Sequence, residues 1–487
     1  MANAYRLTRP LRLPRGWLGV VLRVAAVIGL GMLIGLQYMQ PDKRVLAVAA
    51  AVVLTGLAWR MDTLTGLGLL ILAIPYPRGT VFGNTNLAFI LLLLVIWLLR
   101  ASQRRSPLPT GTPVDAPIAG LLMAYAISFY NIDNPISFRY ALQNAELFAV
   151  SVLLFYMVVS NVRTATDLKR LQLFQAVSLT TICLMAIFEL NHPGQVLIPG
   201  WLDFRATQGT EFNTRNVRVG GPFFDFELLS EFCAISSLLV VFLFVRARSL
   251  YPRLALAGLF VVDIFVLFAT VTRGAVISLT AGLLYLLFRM RRRLRVVPLT
   301  FAVAAIASGA MSMDFYVSHF THSGDVGARL AETRFVGIVP DSRVGAWAGG
   351  WERFLEHPVI GHGPYYSPQT GTRIWFWPHN VYLYVANLVG SVGLLFFLIL
   401  LGRLFQLSNR ASDDLNDPDY ARAFLLIANV QLMVFALDQI KIDYLRNTIY
   451  QFEVWLMFAM LVSAYRVAYP ARGQEPVPEQ EPLPVPA

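Results

Sequence analysis

Long apolar runs separated by short charged segments dominate the chain. The run at 63–77 is short and ends in two prolines, so the pattern predicts about 12–14 transmembrane helices. The predicted fold is therefore all-α, a polytopic transmembrane helical bundle. The fourteen runs long and apolar enough to cross a membrane fall near 17–38, 44–59, 63–77, 83–99, 116–131, 143–161, 169–190, 226–245, 254–271, 274–288, 296–312, 380–401, 421–438 and 448–465.

Composition supports the membrane assignment. Of the 487 residues, 56% are hydrophobic and 14% are charged, and the mean hydropathy is +0.57. This apolar surplus exceeds what a soluble core requires, so part of it must face a lipid bilayer. The net charge of +11 would suggest nucleic acid in a soluble protein, but the basic residues are placed as topology determinants, and we expect no nucleic-acid partner. Cys183 and Cys233 lie within apolar runs, which argues against a disulfide framework and a Cys-ligated metal.

The basic residues between the runs predict the topology. They gather in alternate short connections, most densely from Arg289 to Arg295, which places both termini in the cytoplasm. The two long connections then lie outside, in the periplasm of a bacterium, and we expect short helices in them. The predicted organisation is N-terminal transmembrane helices (1–190), a first periplasmic loop (191–225), central transmembrane helices (226–312), a second periplasmic loop (313–379), C-terminal transmembrane helices (380–469) and a disordered Pro/Glu-rich tail (470–487).

A polar pair, His379-Asn380, opens an apolar helix that carries Gly390 and Gly393. On a continuous helix Gly390 would lie on the same face as His379 and about 16 Å deeper, and the glycines would let a neighbouring helix pack closely. A histidine held at such a helix end can exchange a proton near neutral pH. A helix-capping or interfacial histidine explains the same residues equally well.

Arginines persist in the predicted outer connections, where the topological bias disfavours them. Arg215 and Arg218 lie in the first loop, Arg273 in a tight Thr-Arg-Gly connection, and Arg343 in the first turn of a predicted helix. Guanidinium groups suit phosphate oxygens, so these arginines predict an anionic ligand. Snorkelling to lipid headgroups or pairing with loop carboxylates is the alternative, and it is stronger for Arg218 than for Arg273.

Aromatic residues accompany this second loop. A helix is predicted from Asp341 to Phe354, with aromatic residues at helical spacing. Tyr365, Trp375 and Trp377 follow it and are candidates for contact with sugar rings or a lipid chain. An aromatic belt at the membrane interface is the more common explanation for such residues.

The motif His379-Asn380, nine residues and Gly390-x-x-Gly393 resembles the histidine motif of the O-antigen ligase and Wzy-type polymerase superfamily of bacterial envelope glycan enzymes. The block from Arg343 to Gly363 is similar to the segment that precedes this motif in the family. The resemblance covers roughly residues 200–400. Thr272-Arg273-Gly274 looks like the family's short arginine connection, and Arg215 or Arg218 like its arginine in an earlier outer loop.

The resemblance implies a membrane-embedded glycosyltransferase that needs neither a metal nor a cofactor. It would take a glycan from undecaprenyl diphosphate and transfer it at the periplasmic face of the bacterial inner membrane. Its arginines would hold the diphosphate, and His379 would activate the acceptor hydroxyl.

The acceptor differs among members of this superfamily. It is the lipid A core in ligases, the growing glycan in Wzy-type polymerases, and a protein in protein O-oligosaccharyltransferases. We predict a ligase and keep the other two as alternatives. A lipid-linked glycan flippase or transporter is the non-enzymatic alternative, but transporters place charge near the bilayer midplane, whereas here the charge lies at the predicted outer edge.

Overall fold

The structure is a computed structural model. It describes residues 61–75, 85–103, 106–192, 218–291, 311–317, 326–331, 341–365 and 377–470, together with a few shorter pieces. The helices named below all belong to one compact unit, residues 62–80 and 84–487. They are α1 (Thr63–Ala73), α2 (Thr85–Ser102), α3 (Asp115–Ser128), α4 (Pro135–Asn161), α5 (Ala165–Asn191), α6 (Phe226–Arg246), α7 (Leu250–Ala269), α8 (Arg273–Met290), α9 (Val326–Ala331), α10 (Asp341–Glu356), α11 (Val381–Ser408), α12 (Tyr420–Asp438) and α13 (Thr448–Ala468).

The predicted helical bundle is confirmed. Each predicted run between 63 and 288 and between 380 and 465 is a helix. Seven of the described helices are long and apolar enough to cross a membrane, namely α4, α5, α6, α7, α8, α11 and α12. The protein is therefore a multi-pass membrane protein. The runs at 17–38 and 44–59, apart from Gly56, lie outside the described residues, as does most of the run at 296–312. The tail at 470–487 lies outside them too, except for Pro470.

The two long connections also contain short antiparallel strand pairs, which the all-α prediction did not include. They are β1 (Val196–Ile198) with β2 (Leu202–Asp203), β3 (Phe335–Val336) with β4 (Val339–Pro340), and β5 (Gln369–Thr370) with β6 (Arg373–Ile374). The predicted helix in the second connection is confirmed as α10, which packs against α11.

The core lies around α6, α12 and α13. Helix α6 packs along α7 and α12, α8 packs on α12, and α13 packs on α4. Almost every residue of α13 is buried, and Trp455 at its centre lies edge-on to Phe148 of α4 with ring centroids 5.5 Å apart. Burial of such large aromatic side chains makes these helices a rigid frame for the segments at their ends.

The predicted continuous helix from His379 to Gly393 is wrong in two respects. Asn380 is the N-cap of α11, with its side chain accepting from the Leu383 amide at 3.1 Å, so His379 precedes the helix and has φ 45°. Gly390 then breaks the helix, with φ 69° and ψ −173°. The depth of about 16 Å between His379 and Gly390, derived from an unbroken helix, therefore does not hold.

The break at Gly390 admits a second backbone segment, residues 358–363. The Ser391 amide donates to the Pro358 carbonyl at 2.8 Å, and the Gly363 amide donates to the Leu388 carbonyl at 3.0 Å. A Cβ atom on Gly390 would lie 2.1 Å from the Val359 carbonyl oxygen, so only glycine fits there. The close neighbour of Gly390 is thus a turn segment that follows α10, and not the helix that the sequence suggested.

Candidate functional site

One end of the bundle gathers charged side chains from segments far apart in sequence. Helices α6, α8 and α11 begin there, α10 also begins beside it, and α12 connects to α13 there through residues 439–447. We call this the site end. The Glu227 cluster, as we name it, consists of Asp225, Glu227, Arg343, His379, Asp443 and Arg446.

The first turn of α6 places Glu227 at the centre of this cluster. Asp225 is the N-cap, and its side chain accepts from the amides of Glu227 and Leu228. An N-cap of this kind satisfies amides that the helix leaves without partners. The Glu227 side chain is thereby fixed at the helix start, where it is largely buried.

Glu227 binds three partners from three other segments. Its Oε1 accepts a hydrogen bond from Arg343, and its Oε2 accepts from Arg446 Nη2 at 2.9 Å. Its Oε2 also lies 3.5 Å from Nδ1 of His379. The structure therefore brings together two of the residues predicted from the sequence, Arg343 and His379, through a carboxylate that the prediction did not include.

Arg446 connects the carboxylates to the histidine. Its Nη2 lies 2.7 Å from Asp225 and 2.9 Å from Glu227, while its Nη1 lies 3.0 Å from His379 Nδ1. Burial alone would lower the pKa of Arg446, but the neighbouring carboxylates, Asp225 first and then Glu227 and Asp443, raise it above its usual value. The guanidinium is thus permanently charged and held from several sides.

The contact with Arg446 determines the hydrogen-bonding state of His379. A guanidinium can only donate, so Nδ1 of His379 accepts this hydrogen bond and the proton of the neutral ring is on Nε2. The side chain is 31% exposed. His362, by contrast, donates from Nε2 to the Arg353 carbonyl at 2.7 Å, and burial lowers its pKa to about 4. Of these two histidines, His379 is the one available to a ligand at the Glu227 cluster.

Asp443 is the member of the cluster that lies in the connection between α12 and α13, three residues before Arg446. Its Oδ1 accepts from the Arg446 amide at 3.1 Å, whereas its buried Oδ2 has no hydrogen-bond partner among the described residues. Burial raises the pKa of Asp443 to about 7, although the nearby Arg446 partly offsets this. The charge of Asp443 therefore changes near neutral pH.

Left-handed backbone is concentrated at this end of the bundle. Among the described residues, the non-glycine residues with positive φ are Phe224 (54°), Val271 (52°) and His379 (45°). Phe224 directly precedes Asp225, and Val271 lies two residues before Arg273. Such conformations cost about 1–3 kcal/mol each and persist only where the surrounding structure imposes them. The three positions share one role, which is to direct the chain into or through the site end.

Arg218 holds the turn that leads into α8. Its Nε donates to the Thr270 carbonyl at 2.9 Å, its Nη2 contacts Thr272 Oγ1 at 3.3 Å, and its guanidinium carbon lies 3.2 Å above the Phe226 ring. Arg273 is the first residue of α8, directly after this turn. The predicted arginine Arg218 thus lies at the site end, between the starts of α6 and α8, and contributes to positioning Arg273.

The glycine of the Thr-Arg-Gly connection has a steric explanation. Lys441 crosses Gly274 so closely that a Cβ atom there would lie 1.7 Å from the lysine Cε. Lys441 pairs with buried Asp438 at 2.9 Å, and Asp438 also accepts from Ser278 of α8 at 2.7 Å. This network joins the start of α8 to the connection that carries Asp443 and Arg446.

The aromatic candidates lie in two places. Tyr365 stacks on Tyr140 with ring centroids 5.0 Å apart, and Trp377 stacks on Tyr384 with centroids 5.6 Å apart. Trp377 is half-buried and lies two residues before His379. Of the other predicted site residues, Arg215 and Trp375 lie outside the described residues.

Sequence reasoning missed four members of the cluster. Asp225 and Glu227 open α6, and Asp443 and Arg446 lie between the last two predicted helices. The sequence did contain a signal for Asp443 and Arg446, because the predicted topology places the connection between the last two helices on the same side of the membrane as the two long loops. A charged residue in so short an outer connection requires a partner. Arg446 meets this description in the connection between the last two helices, just as Arg273 does in the Thr-Arg-Gly connection.

Within the described residues, no group of three or more His, Cys, Asp or Glu could hold a metal ion. The carboxylates of the Glu227 cluster are directed at arginines instead. That the reaction needs no metal ion stays a prediction.

Comparison with known proteins supports the resemblance that the motifs suggested. Residues 258–398 match the family model described as O-antigen ligase. This segment contains Arg273, Arg343 and His379, and over these residues the similarity to the O-antigen ligase and Wzy-type polymerase superfamily is confirmed. Members of that family are ligases and polymerases of the glycosyltransferase type. The chain matched no curated protein.

Proposed function

We propose that this protein is an O-antigen ligase-like glycosyltransferase, which transfers a glycan from undecaprenyl diphosphate to an acceptor at the periplasmic face of the bacterial inner membrane. The observation that carries the proposal is the joining of His379, Arg343 and Arg446 by one carboxylate, Glu227, at a single end of the bundle. Two of these residues, Arg343 and His379, lie in the segment that matches the O-antigen ligase family model.

The donor diphosphate is assigned to the arginines. Arg343 and Arg273 both come from helix starts at the site end, and Arg446 adds a third guanidinium. Either Arg215 or Arg218 completes the set, as the resemblance implies. Guanidinium groups bind phosphate oxygens in bidentate fashion and stabilise the negative charge that develops on a diphosphate leaving group.

His379 is assigned the role of general base. Its Nε2 would take the proton of the acceptor hydroxyl while the acceptor oxygen bonds to the anomeric carbon. The bond from that carbon to the diphosphate then breaks, and its electron pair leaves with the diphosphate. A general base must first have a free lone pair within hydrogen-bonding reach of the acceptor.

Base action at Nε2 requires the ring proton on Nδ1, which Arg446 prevents in the structure. We propose that the diphosphate draws Nη1 of Arg446 away from the ring, because phosphate oxygens are stronger acceptors for a guanidinium than a neutral imidazole. Nη2 stays on Asp225 and Glu227. Nδ1 of His379 can then donate to Glu227, 3.5 Å away, and Nε2 becomes the acceptor.

Tyr365, Trp375 and Trp377 are proposed contacts for the glycan or the lipid chain. Aromatic faces suit both sugar rings and prenyl groups. For the acceptor we propose the lipid A core, which the resemblance implies for ligases; the matching family model is described as O-antigen ligase. A polymerase or a protein O-oligosaccharyltransferase would use the same donor chemistry with a different hydroxyl.

The test is transfer by purified protein in nanodiscs that contain undecaprenyl diphosphate glycan. Donor supplied alone should give no lengthened glycan, and donor with lipid A core should give glycosylated core. Lengthened glycan without the core would assign a polymerase, and transfer only to protein would assign a protein O-oligosaccharyltransferase. If the donor instead crosses the bilayer without any new glycosidic bond, the protein is a transporter and the enzyme proposal is wrong.

A further inference from the structure

The end of the bundle opposite the Glu227 cluster contains a large groove that the proposed reaction does not use. A cavity of about 1220 Å³ lies between α5, the end of α6 and the first half of α7. Helix α6 runs from Glu227 at one end to Arg246 at the other, so the groove begins about 30 Å from the cluster at a rise of 1.5 Å per residue. It is therefore separate from the proposed donor site.

The walls of the groove are apolar along most of its length. Leu173, Val177 and Leu184 line it from α5 and are 63%, 44% and 59% exposed. From Lys169 to Leu184 the helix rises about 22 Å, which is more than the roughly 15 Å that half of a bilayer's hydrocarbon core spans. The groove is thus long enough to hold an acyl chain over one leaflet.

Four cations line the groove where the helices end. Lys169 lies near the start of α5, Arg246 ends α6, Arg248 lies in the connection that follows, and Arg253 lies in the first turn of α7. The groove-lining residues, all of them in the described part of the chain, include no Asp or Glu. The positive charge is therefore not balanced by a carboxylate within the groove.

Two of these cations are held in place by neutral partners around one ring. Lys169 Nζ lies 4.6 Å and the Arg246 guanidinium carbon lies 5.3 Å from the centroid of the Tyr420 ring. Arg246 Nη1 also donates to the Asp417 carbonyl at 2.7 Å, and the Tyr420 hydroxyl donates to Gln172. These contacts fix the positions of the cations and leave their charge intact. Topology accounts for basic residues at this end, but it does not require them to be fixed at the end of an apolar groove.

We propose that this groove binds a membrane phospholipid with an anionic headgroup. Its phosphate would contact Lys169, Arg246 and Arg253, and one acyl chain would lie along the Leu173, Val177 and Leu184 face. Basic pockets between transmembrane helices recognise anionic headgroups in this way, with electrostatic attraction added to the burial of the chain. The bound lipid would join α5, α6 and α7 at the end opposite the reaction.

The test is lipid retention by the purified full-length protein. Native mass spectrometry after exchange into mixed detergent micelles should show at least about tenfold preference for dioleoyl phosphatidylglycerol over dioleoyl phosphatidylcholine, with one molecule retained. The anionic lipid should also raise the unfolding temperature, because a ligand bound only to the folded state stabilises it. Equal retention of both lipids would overturn the proposal.

Two variants test the two parts of the groove. The triple change Lys169→Gln, Arg246→Gln and Arg253→Gln should reduce the lipid preference to within about twofold. A control with the same loss of charge at the same end, Arg291→Gln, Arg403→Gln and Arg410→Gln, should keep it. The change Val177→Trp leaves the charge intact but fills the apolar wall, and it should also abolish retention.

The remaining outcomes decide against the proposal. If the control triple loses the preference as fully as the groove triple, general surface charge is responsible. If inorganic phosphate at millimolar concentration displaces the lipid while Val177→Trp has no effect, the groove is a simple anion site. If undecaprenyl diphosphate binds there more tightly than phosphatidylglycerol, the groove belongs to the donor lipid.

Discussion

The two ends of helix α6 differ in the partners of their charged side chains. At the start, Glu227 and Asp225 are bound to arginines from other segments of the chain. At the end, Arg246 contacts backbone carbonyls and the face of Tyr420. The first arrangement orients groups precisely and nearly neutralises them, whereas the second preserves a net positive charge.

The backbone differs between the two ends as well. The described non-glycine residues with positive φ, namely Phe224, Val271 and His379, all lie at the site end. At the opposite end, α6 leads through Arg246 and a short connection into α7, and no residue of this connection has a positive φ. Strained backbone together with interlocked charges is typical of sites that hold a reacting group in one geometry. Fixed cations beside an apolar groove suit the recognition of a lipid instead.

The largest expected effect comes from His379→Ala, which should lower the rate of glycan transfer by about a hundredfold or more, as removal of a general base typically does. Binding of the donor should survive, because the proposal assigns the diphosphate to arginines. Single-turnover transfer and donor binding in nanodiscs measure the two effects separately. His192→Ala, an exposed histidine at the same end, is the control. Near-normal turnover of His379→Ala would leave the histidine as a residue that merely precedes the helix cap.

Arg446→Lys tests the interlocked charges and should lower the rate by roughly tenfold to a hundredfold, since a lost charge-assisted hydrogen bond costs about 1.5–3 kcal/mol. Lysine keeps the charge but has a single nitrogen, so it cannot stay on Asp225 and Glu227 while a second donor turns to the diphosphate, as the proposed mechanism requires. Arg289→Lys is the matched control, because Arg289 pairs with Asp413 at 3.0 Å at the opposite end. Equal losses in both variants would show that the effect is on folding, which thermal unfolding would report.

Arg273→Lys should lower the rate by about tenfold, because the lysine retains attraction for the diphosphate and loses the bidentate geometry. The control is Arg291→Lys, at the other end of the same helix, where the guanidinium donates to the Phe288 carbonyl at 2.8 Å. A rise in the donor concentration needed for half-maximal rate would identify a binding role. Full activity of Arg273→Lys would favour a headgroup or topological role for this arginine.

The smallest effect concerns Asp443 and the dependence of stability on pH. The pKa of Asp443 is raised to about 7 from its usual 3.8, so between these values the folded protein keeps a proton that the unfolded chain releases. This contribution to stability is fully present below about pH 4 and is lost as the pH rises through 7. The unfolding temperature should therefore fall between about pH 4 and pH 7 and level off above, and Asp443→Asn should flatten the fall.

The matched control for this measurement is Asp413→Asn, which changes an exposed carboxylate at the opposite end. It should leave the slope with pH unchanged. A slope that is the same in wild type and in Asp443→Asn would show that Asp443 does not carry the proton.

The sequence predicted the helices well because apolar runs long enough to span a bilayer can be recognised directly from the order of residues along the chain. It also singled out His379, Arg273 and Arg343 as candidates, since each stands out against an apolar or topologically biased background, and their roles stay predictions. It did not identify Glu227 or Arg446. Their pairing joins positions 219 residues apart, and no local pattern indicates that two such residues meet.

The break at Gly390 was misinterpreted for a related reason. A glycine in an apolar run is equally compatible with close helix packing and with a change of backbone direction. The decision depends on residues 358–363, whose backbone forms a turn that approaches the break. Only tertiary contacts distinguish these two uses of glycine.

The pairing of residues 358–363 with the broken helix has a consequence for biogenesis. The amides of His362 and Gly363 donate to the carbonyls of Asn387 and Leu388, which the ribosome makes later. The second long connection therefore cannot dock until α11 has been inserted. Arg446 follows 58 residues after Leu388, so a chain still in synthesis would carry Arg273 and Arg343 without the contacts that Arg446 makes with Glu227 and His379. Under the proposed function, the chain could therefore act on a donor only after the connection between α12 and α13 has been made.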